Sequence, residues 1–291
     1  MKIYLDGKLV PESEAKVSVF DHGLLYGDGV FEGIRSYNGR VFLLQEHIAR
    51  LYRSAQAIGL VIPVPPAELR RAVLATCEAN DCRNGYVRLV VTRGVGNLGL
   101  NPYQCPKAGV FIIAANIQLY PPEFYEQGLK IVTVGTVRNH PEAVNPNIKS
   151  LNYLNNIMAK IEAVNSGVQE AVMLNHLGYV AEATGDNIFL VRGRTLITPP
   201  SWCGCLLGIT RDAVMKIAAG NGFEVRESVL TRYDLYTADE VFLTGTAAEL
   251  VPVVEIDKRA IGSGVPGPAT RQLMRLFHTF TQQPENGDKI G

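Results

Sequence analysis

Lys149 lies in Asn145-Pro-Asn-Ile-Lys-Ser-Leu-Asn-Tyr153 and is the sole lysine between Lys130 and Lys160. A lysine on an ordered junction, with Asn and Tyr close by, can be held deprotonated and aimed. In that state it attacks a carbonyl carbon to form an imine. Glu182 lies in Gly178-Tyr-Val-Ala-Glu-Ala-Thr-Gly-Asp-Asn-Ile-Phe-Leu190, where it interrupts a strand-like run just before a Gly turn. A buried carboxylate facing a pyridine nitrogen keeps that nitrogen protonated, and the ring then acts as an electron sink. In Leu206-Leu-Gly-Ile-Thr-Arg-Asp212, Gly208 precedes a helix whose start is marked by Thr210, a good N-cap residue. Free amides at a helix N-terminus bind phosphate. Thr244-Gly-Thr-Ala-Ala-Glu249 has small residues that let a backbone approach a ligand, and Thr246 adds a hydroxyl. It is not a Walker loop, because the Gly-Lys-Ser/Thr ending is missing. In His47-Ile-Ala-Arg50-Leu-Tyr-Arg53, the two arginines are three apart and near one helix face, and a guanidinium suits bidentate phosphate contact. Taken singly, each feature has a plainer explanation: a surface lysine, a loop-end glutamate, an ordinary helix start, a tight turn, two solvated arginines. Together they supply what a phosphorylated pyridine aldehyde requires.

The elements that must position these residues follow from periodicity. Gly29 to Tyr37 and Arg40 to Leu44 read as strands joined by Asn38-Gly39, a strong hairpin turn. Leu44, Ile48, Leu51, Ala55 and Ile58 recur at helical spacing, and Gly59 ends that helix. A second helix is expected over about 66–80, and strands over 86–92 and 109–118. The N-terminal Met1 to Gly7 reads as a strand followed by a turn. Leu151, Leu154, Ile157, Met158, Ile161 and Val164 have helical spacing after Pro146, which puts Lys149 at a helix entrance. Further helices are expected at 151–165, 210–221 and 268–279, alternating with strands. Leu119 to Gly128, with two prolines and polar residues, is the expected interdomain linker. It would divide a small N-terminal α/β domain, 1–118, from a large C-terminal domain, 129–291, that carries Lys149. The tail from about 282 is expected to fray.

Bulk properties narrow the classes. The 291 residues, 47% hydrophobic and 19% charged, suit one large or two medium globular domains rather than disorder. The formal net charge is zero and no basic stripe is apparent, so no nucleic-acid partner is expected. No apolar run approaches a membrane span, and the N-terminus lacks signal-peptide zones, so a cytoplasmic protein is expected. The five cysteines, an odd number, fit a reducing compartment. Cys203-Gly204-Cys205 lacks a second ligand pair at zinc spacing and the five histidines form no HExxH motif, so free thiols in a loop and no metal are expected.

Six segments, in order, carry a family resemblance: Tyr26-Gly-Asp-Gly-Val-Phe-Glu-Gly-Ile-Arg35, His47-Ile-Ala-Arg50-Leu, Asn147-Ile-Lys149-Ser-Leu-Asn-Tyr153, Glu182-Ala-Thr-Gly-Asp-Asn187, Gly208-Ile-Thr-Arg-Asp212 and Gly245-Thr-Ala-Ala-Glu249. The chain resembles the fold-type IV pyridoxal-phosphate enzymes, most closely the branched-chain amino acid aminotransferases, from Tyr4 to about Phe277. The resemblance implies a two-domain α+β or α/β fold, shared with D-amino acid aminotransferases, with the active site between the domains. It implies pyridoxal 5'-phosphate as cofactor, with Lys149 as Schiff-base lysine and proton shuttle. Tyr153 would bond the cofactor's phenolic oxygen and Glu182 its ring nitrogen. Tyr153 follows Lys149 by four residues, about one helical turn, so both could face one cavity. Arg50, Ile209, Thr210 and Thr246 would hold the phosphate, and Leu206 would pack on the ring. Thr246, Ala247 and the Tyr86 hydroxyl would receive the substrate carboxylate. Phe31, Gly33, Arg88 and Leu100 would shape the side-chain pocket. Tyr26 and Leu100 would reach a neighbouring subunit's site, so a homodimer or higher homo-oligomer is implied.

Within the family, Tyr153, Tyr86-Val-Arg88, Val30-Phe-Glu-Gly33 and Arg93-Gly-Val-Gly-Asn-Leu-Gly-Leu100 are similar to the branched-chain type. The resemblance then implies ping-pong amino transfer between L-leucine, L-isoleucine or L-valine and 2-oxoglutarate, with unequal rates, since a pocket discriminates a methylene by only ~1–3 kcal/mol. Lys149-Ser-Leu-Asn-Tyr153 is one residue shorter than the Gly-Gly version in part of that group, and this form also occurs in D-amino acid enzymes. The alternatives are a D-amino acid aminotransferase or an R-selective amine transaminase of the same fold and, from another class, a non-catalytic cofactor-binding protein.

Overall fold

The computed structural model describes residues 1–115 and 120–291, and the chain forms two units. The first contains residues 1–115, the short segment Ile148–Asn152 and the C-terminal Thr281–Gly291. Its strands run β1 (Lys2–Leu5), β2 (Lys8–Pro11), β3 (Gly29–Tyr37), β4 (Arg40–Phe42), β5 (Tyr86–Thr92) and β6 (Gly109–Ala115). Its helices are the one-turn α1 (His22–Tyr26), α2 (Leu44–Ala57) and α3 (Pro66–Ala79). A seven-stranded sheet has the order Gly287–Lys289, β4, β3, β5, β6, β1, β2. β3 and β5 pair antiparallel with Gly33 opposite Arg88 and Phe31 opposite Val90. Alternation does the sorting. Val30 and Ile34 of β3, Val87, Leu89 and Val91 of β5, and Val110 and Ile112 of β6 form one core with Leu44, Ile48, Leu51 and Ala55 of α2 and Leu69 and Val73 of α3. Phe31, Gly33, Tyr86 and Arg88 are out of phase with that set and project from the opposite face. Asn38 and Gly39 both have positive φ, 47° and 75°, as a tight primed turn requires.

The remaining pieces of this unit depart from the expected division. Ser150 bridges Val30, the Phe31 amide donates to the Lys149 carbonyl, and the Leu151 amide donates to Gly29, so residues 149–151 run along the free edge of β3. Lys149 therefore sits in an extended segment of the first unit, not at a helix entrance in a C-terminal domain, and no helical turn links it to Tyr153. The edge of β3 offers backbone partners that a helix start would forgo. The tail is also ordered. Gly287–Lys289 pairs with β4, and Ile290 is buried in the core.

The second unit contains residues 120–147 and Tyr153–Phe280. Its helices are α4 (Pro122–Gln127), α5 (Leu154–Asn165), α6 (Ile209–Gly220), α7 (Arg232–Tyr236) and α8 (Pro268–Thr281, whose last residue clusters with the first unit). Its strands are β7 (Leu129–Thr133), β8 (Glu170–Leu174), β9 (Val180–Ala183), β10 (Asn187–Arg192), β11 (Thr195–Thr198), β12 (Glu224–Glu227), β13 (Glu240–Gly245) and β14 (Glu249–Ile256). They form a mixed sheet ordered β12, β11, β10, β13, β14, β7, β8, β9, with Arg259–Ala260 added to β14. β7 and β8 are parallel, connected through α5. The expected linker folds instead. Prolines at 121 and 122 start α4, where a missing N–H costs nothing, and Tyr120 is buried. Residues 116–118 of the expected strand, the first linker residue and the expected boundary fall outside the described residues. Gly208, not Thr210, caps α6. Thr210 lies one residue inside the helix.

α5 presents an unusual face. Ala159 and Ala163 point inward, whereas Leu154, Ile157, Met158, Ile161 and Val164 are exposed, with Leu154 at 69%. Small inward residues let the helix lie close to β8, and the large apolar stripe is left outside.

Candidate active site

The sequence-predicted residues fall into two groups, one per unit. In the first unit the sheet places Phe31, Gly33, Tyr86 and Arg88 together. The Arg88 guanidinium lies 4.6 Å from the Phe31 ring centroid and 5.4 Å from that of Tyr86. Lys149 Nζ lies over the same Phe31 ring at 4.6 Å, and its backbone amide donates to Ser54 Oγ at 3.2 Å. Lys149 is thus fixed through its own backbone to β3 and α2. Gly33 is required sterically, since a Cβ there would come within 2.0 Å of the Tyr86 hydroxyl. Tyr26 and Leu100 are not gathered here. The Tyr26 hydroxyl donates to the Leu98 carbonyl on an exposed loop, and Leu100 is 78% exposed.

Arg50 is on the other side of the same strand. Glu32 follows Phe31 and so faces α2. Its Oε1 accepts from Arg50 Nε at 2.7 Å, and its Oε2 accepts from Arg50 Nη2 at 2.7 Å and His47 Nδ1 at 2.8 Å. Burial pushes the Glu32 carboxyl up, but Arg50 and His47 together outweigh it and hold it at about 2. Burial holds His47 below the ordinary imidazole range against the opposite pull of Glu32. This carboxylate aims Arg50 by a fork-to-fork contact. Arg53, expected on the same face, is exposed, because Glu32 draws only Arg50 inward. A charged residue flanked at i±2 by Val30 and Ile34 was the available signal for such a triad, since a core-facing carboxylate demands partners.

In the second unit β10 pairs with β13, Asn187 opposite Thr244, so the turn after β9 and the turn after β13 lie at one end of the sheet. α6 begins at the same place. A Cβ on Gly208 would come within 2.0 Å of Asn187 Oδ1, and one on Gly245 within 1.9 Å of Asp186 Oδ1. These contacts bring Glu182, Leu206, Ile209 and Thr210 to that end of the sheet, and Thr246 and Ala247 follow the end of β13 there. Glu182 Oε1 accepts from Arg138 Nε at 2.9 Å, and Oε2 accepts from the Leu206 amide at 2.9 Å and Asn187 Nδ2 at 3.3 Å. Asn187 Nδ2 also donates to the Leu206 carbonyl at 2.8 Å. Ile209 and Thr210 are buried at the first turn of α6, where no side chain caps the amides. Tyr153 is the residue before α5 and is half-buried. Sequence reasoning missed Arg138 and Asn187 as well as a second acidic cluster. The Tyr120 hydroxyl donates to Glu170 Oε2 at 3.4 Å and Asp186 Oδ2 at 3.3 Å, and Lys160 pairs with Glu170 at 3.4 Å. Burial first, and then the Glu170 charge, push the Asp186 carboxyl up to about 7. Cys203 and Cys205 are free thiols but buried, with the Cys205 thiol 3.6 Å from the Pro199 and Pro200 carbonyls.

These donor sets fit pyridoxal 5'-phosphate. An uncapped helix N-terminus and a glycine-lined turn suit a phosphate, and a buried carboxylate suits a basic ring nitrogen. Comparison with known proteins identifies the family. The family model described as amino-transferase class IV matches residues 29–256. A putative branched-chain-amino-acid aminotransferase of Methanocaldococcus jannaschii is 54% identical over 277 residues, covering 95% of both chains. The chain belongs to the branched-chain aminotransferase family of fold-type IV enzymes. The solved Escherichia coli branched-chain amino acid aminotransferase superposes with a TM-score of 0.97 at 35% identity, over 100% of this chain and 99% of that one. The branched-chain amino acid aminotransferase of Thermobaculum terrenum, solved in its PLP form, gives 0.87 at 33% identity over 96% and 93%. A D-alanine aminotransferase of Bacillus licheniformis is also similar, 37% identical over 280 residues and 94% of both chains. The two-domain α+β architecture and the aminotransferase class expected from the sequence are therefore met in this aminotransferase. Among the described residues, no helix is long and apolar enough to cross a membrane.

Proposed function

We propose that this aminotransferase uses pyridoxal 5'-phosphate to exchange the amino group between L-leucine, L-isoleucine or L-valine and 2-oxoglutarate in a ping-pong cycle. The observation that carries the reading is Lys149, held by its backbone on β3 with its amine over the Phe31 ring that Arg88 also contacts. When bound, the cofactor supplies the electron sink that acidifies the substrate α-carbon. Lys149 Nζ would be the base that removes and returns the proton at the substrate α-carbon. Tyr153 binds the phenolic oxygen and Glu182 the ring nitrogen. Arg50, the Ile209 and Thr210 amides and Thr246 hold the phosphate, and Leu206 covers one ring face. Tyr86, Thr246 and Ala247 receive the α-carboxylate. Phe31 and Gly33 form the apolar wall for a branched side chain, with Leu100 completing that wall in the neighbouring subunit's site, and Arg88 accepts the γ-carboxylate when glutamate enters. The exposed stripe on α5, with exposed Tyr26 at the end of α1 and exposed Leu100, supports a homodimer in which those two residues serve the neighbouring subunit. A cytoplasmic setting accords with free thiols.

The test is borohydride trapping and peptide mapping of the yellow holoenzyme, followed by a donor panel of L-leucine, L-valine, D-alanine and R-phenylethylamine. Tagging at Lys149 and turnover of the two L-amino acids are expected. Tagging elsewhere, or none, sinks the reading. The similarity to a D-alanine aminotransferase and the short Lys149 to Tyr153 spacing favour a second reading, D-amino acid transfer, which would appear as preference for D-alanine.

A further inference from the structure

Arg138 lies outside every motif that carries the family resemblance, yet it is buried and locked from three sides. Its amide donates to the Leu174 carbonyl at the end of β8 at 2.8 Å. Its Nη1 donates to Asn155 Oδ1 at 3.2 Å, while Asn155 Nδ2 donates to the Val137 carbonyl at 2.8 Å. Its stem lies 3.6 Å from the position of a Cβ on Gly204, where the chain passes with φ +101°. Its Nε meets Glu182 Oε1 at 2.9 Å, and both side chains are under one tenth exposed. The other oxygen is held by the Leu206 amide and by Asn187. A buried carboxylate with donors from three separate segments has one orientation available to it.

We propose that Arg138 is a positioning residue, acting through Glu182: it fixes the plane and rotamer of the carboxylate that engages the cofactor's ring nitrogen. This rests on the reading given above. The Arg138–Asn155 pair ties that orientation to the start of α5, and Asn187 ties it to the Leu206 peptide that covers the ring. Holding a group that touches the cofactor is worth about 10- to 100-fold in comparable supporting shells.

The experiment is a double-mutant cycle on the holoenzyme with Arg138→Met and Glu182→Gln, plus Arg138→Lys as the conservative variant. Two quantities are read: the pyridoxal phosphate dissociation constant from absorbance titration of the apoenzyme, and the kcat and KM of the half-reaction with L-leucine. Arg138→Met should weaken cofactor binding and lower kcat by about tenfold or more each, with KM for leucine within about twofold. Arg138→Lys should recover most of the loss. In the Glu182→Gln background the same change should cost less than about twofold. Full additivity of the two losses, or a lysine variant no better than methionine, overturns the proposal. If Arg138→Met does not fold, Asn155→Ala carries the same cycle with a smaller expected loss, and additivity there overturns it equally. Wild-type tagging at Lys149 and a leucine-induced spectral change are measured first. If they are present, an additive cycle refutes the positioning role alone. If they are absent, the underlying reading and this one fall together.

Discussion

Glu32 is the residue on which the first unit's electrostatics turn. Replacing it with Gln leaves Arg50 buried without its carboxylate, and removing one partner of a buried pair costs about 3–5 kcal/mol. Denaturant unfolding of Glu32→Gln at pH 7 should show that loss. The pH sign follows from the direction of the shift. The folded carboxyl is held at about 2, below its ordinary 4.5, so its contribution is present above 4.5 and is lost as the pH falls toward 2. The gap between wild type and Glu32→Gln should therefore close over that acidic range. A gap that persists at pH 2.5 would show that the ion pair is not its source. Arg88 makes a separate prediction. Its guanidinium lies over two rings, and among the described residues no carboxylate is paired with it, which suits it to an acidic substrate. Arg88→Ala should raise KM for glutamate or 2-oxoglutarate by about tenfold or more while changing that for leucine little, since a charged hydrogen bond is worth ~1.5–3 kcal/mol. Equal changes in both would refute the role.

At the scale of elements, the surface of α5 calls for a partner. Ile157 and Ile161 lie a turn apart on its exposed stripe. Ile157→Glu with Ile161→Glu should leave the monomer fold intact by circular dichroism and shift sedimentation toward a monomer, together with loss of activity. An unchanged sedimentation coefficient would place any subunit contact elsewhere. The elements were largely legible. β3, β5 and α2 stand where alternation and helical spacing put them, because the Asn38-Gly39 turn and the apolar periodicity are local signals. The Lys149 segment was misread for a non-local reason. Its partner is the edge of β3, over a hundred residues earlier, and nothing near Lys149 announces an extended bridge to Val30. The tail was misread likewise, since Gly287–Lys289 looks like a polar end until β4 supplies its partner. In the site, Lys149, Glu182 and the α6 start carry their chemistry in their own neighbours. Glu32 and Arg138 act through residues brought from elsewhere, and Asn187 also reaches Leu206 nineteen residues on, which is why motif reading assigned them no role.

For the whole molecule, the two units respond to acid and base in opposite directions. Asp186 is neutral up to about 7 in the folded chain and ionises near 3.8 when unfolded. The folded state binds the extra proton between those values, so stability falls as the pH rises through that window. Asp186→Asn should flatten the decline in Tm from pH 5 to pH 8, whereas Glu32→Gln should flatten the acid side. A wild-type Tm independent of pH between 5 and 8 would remove the basis for the first. The way the first unit is assembled from three stretches of chain has a consequence for synthesis. A ribosome that has released residue 115 has not yet delivered the lysine-bearing edge at 148–152, nor the closing strand at 287–289. The first unit must wait, open along the border of β4, until residues 287–289 have been translated. A nascent chain stalled before residue 287 should therefore expose its first half, not its second, to proteases and chaperones.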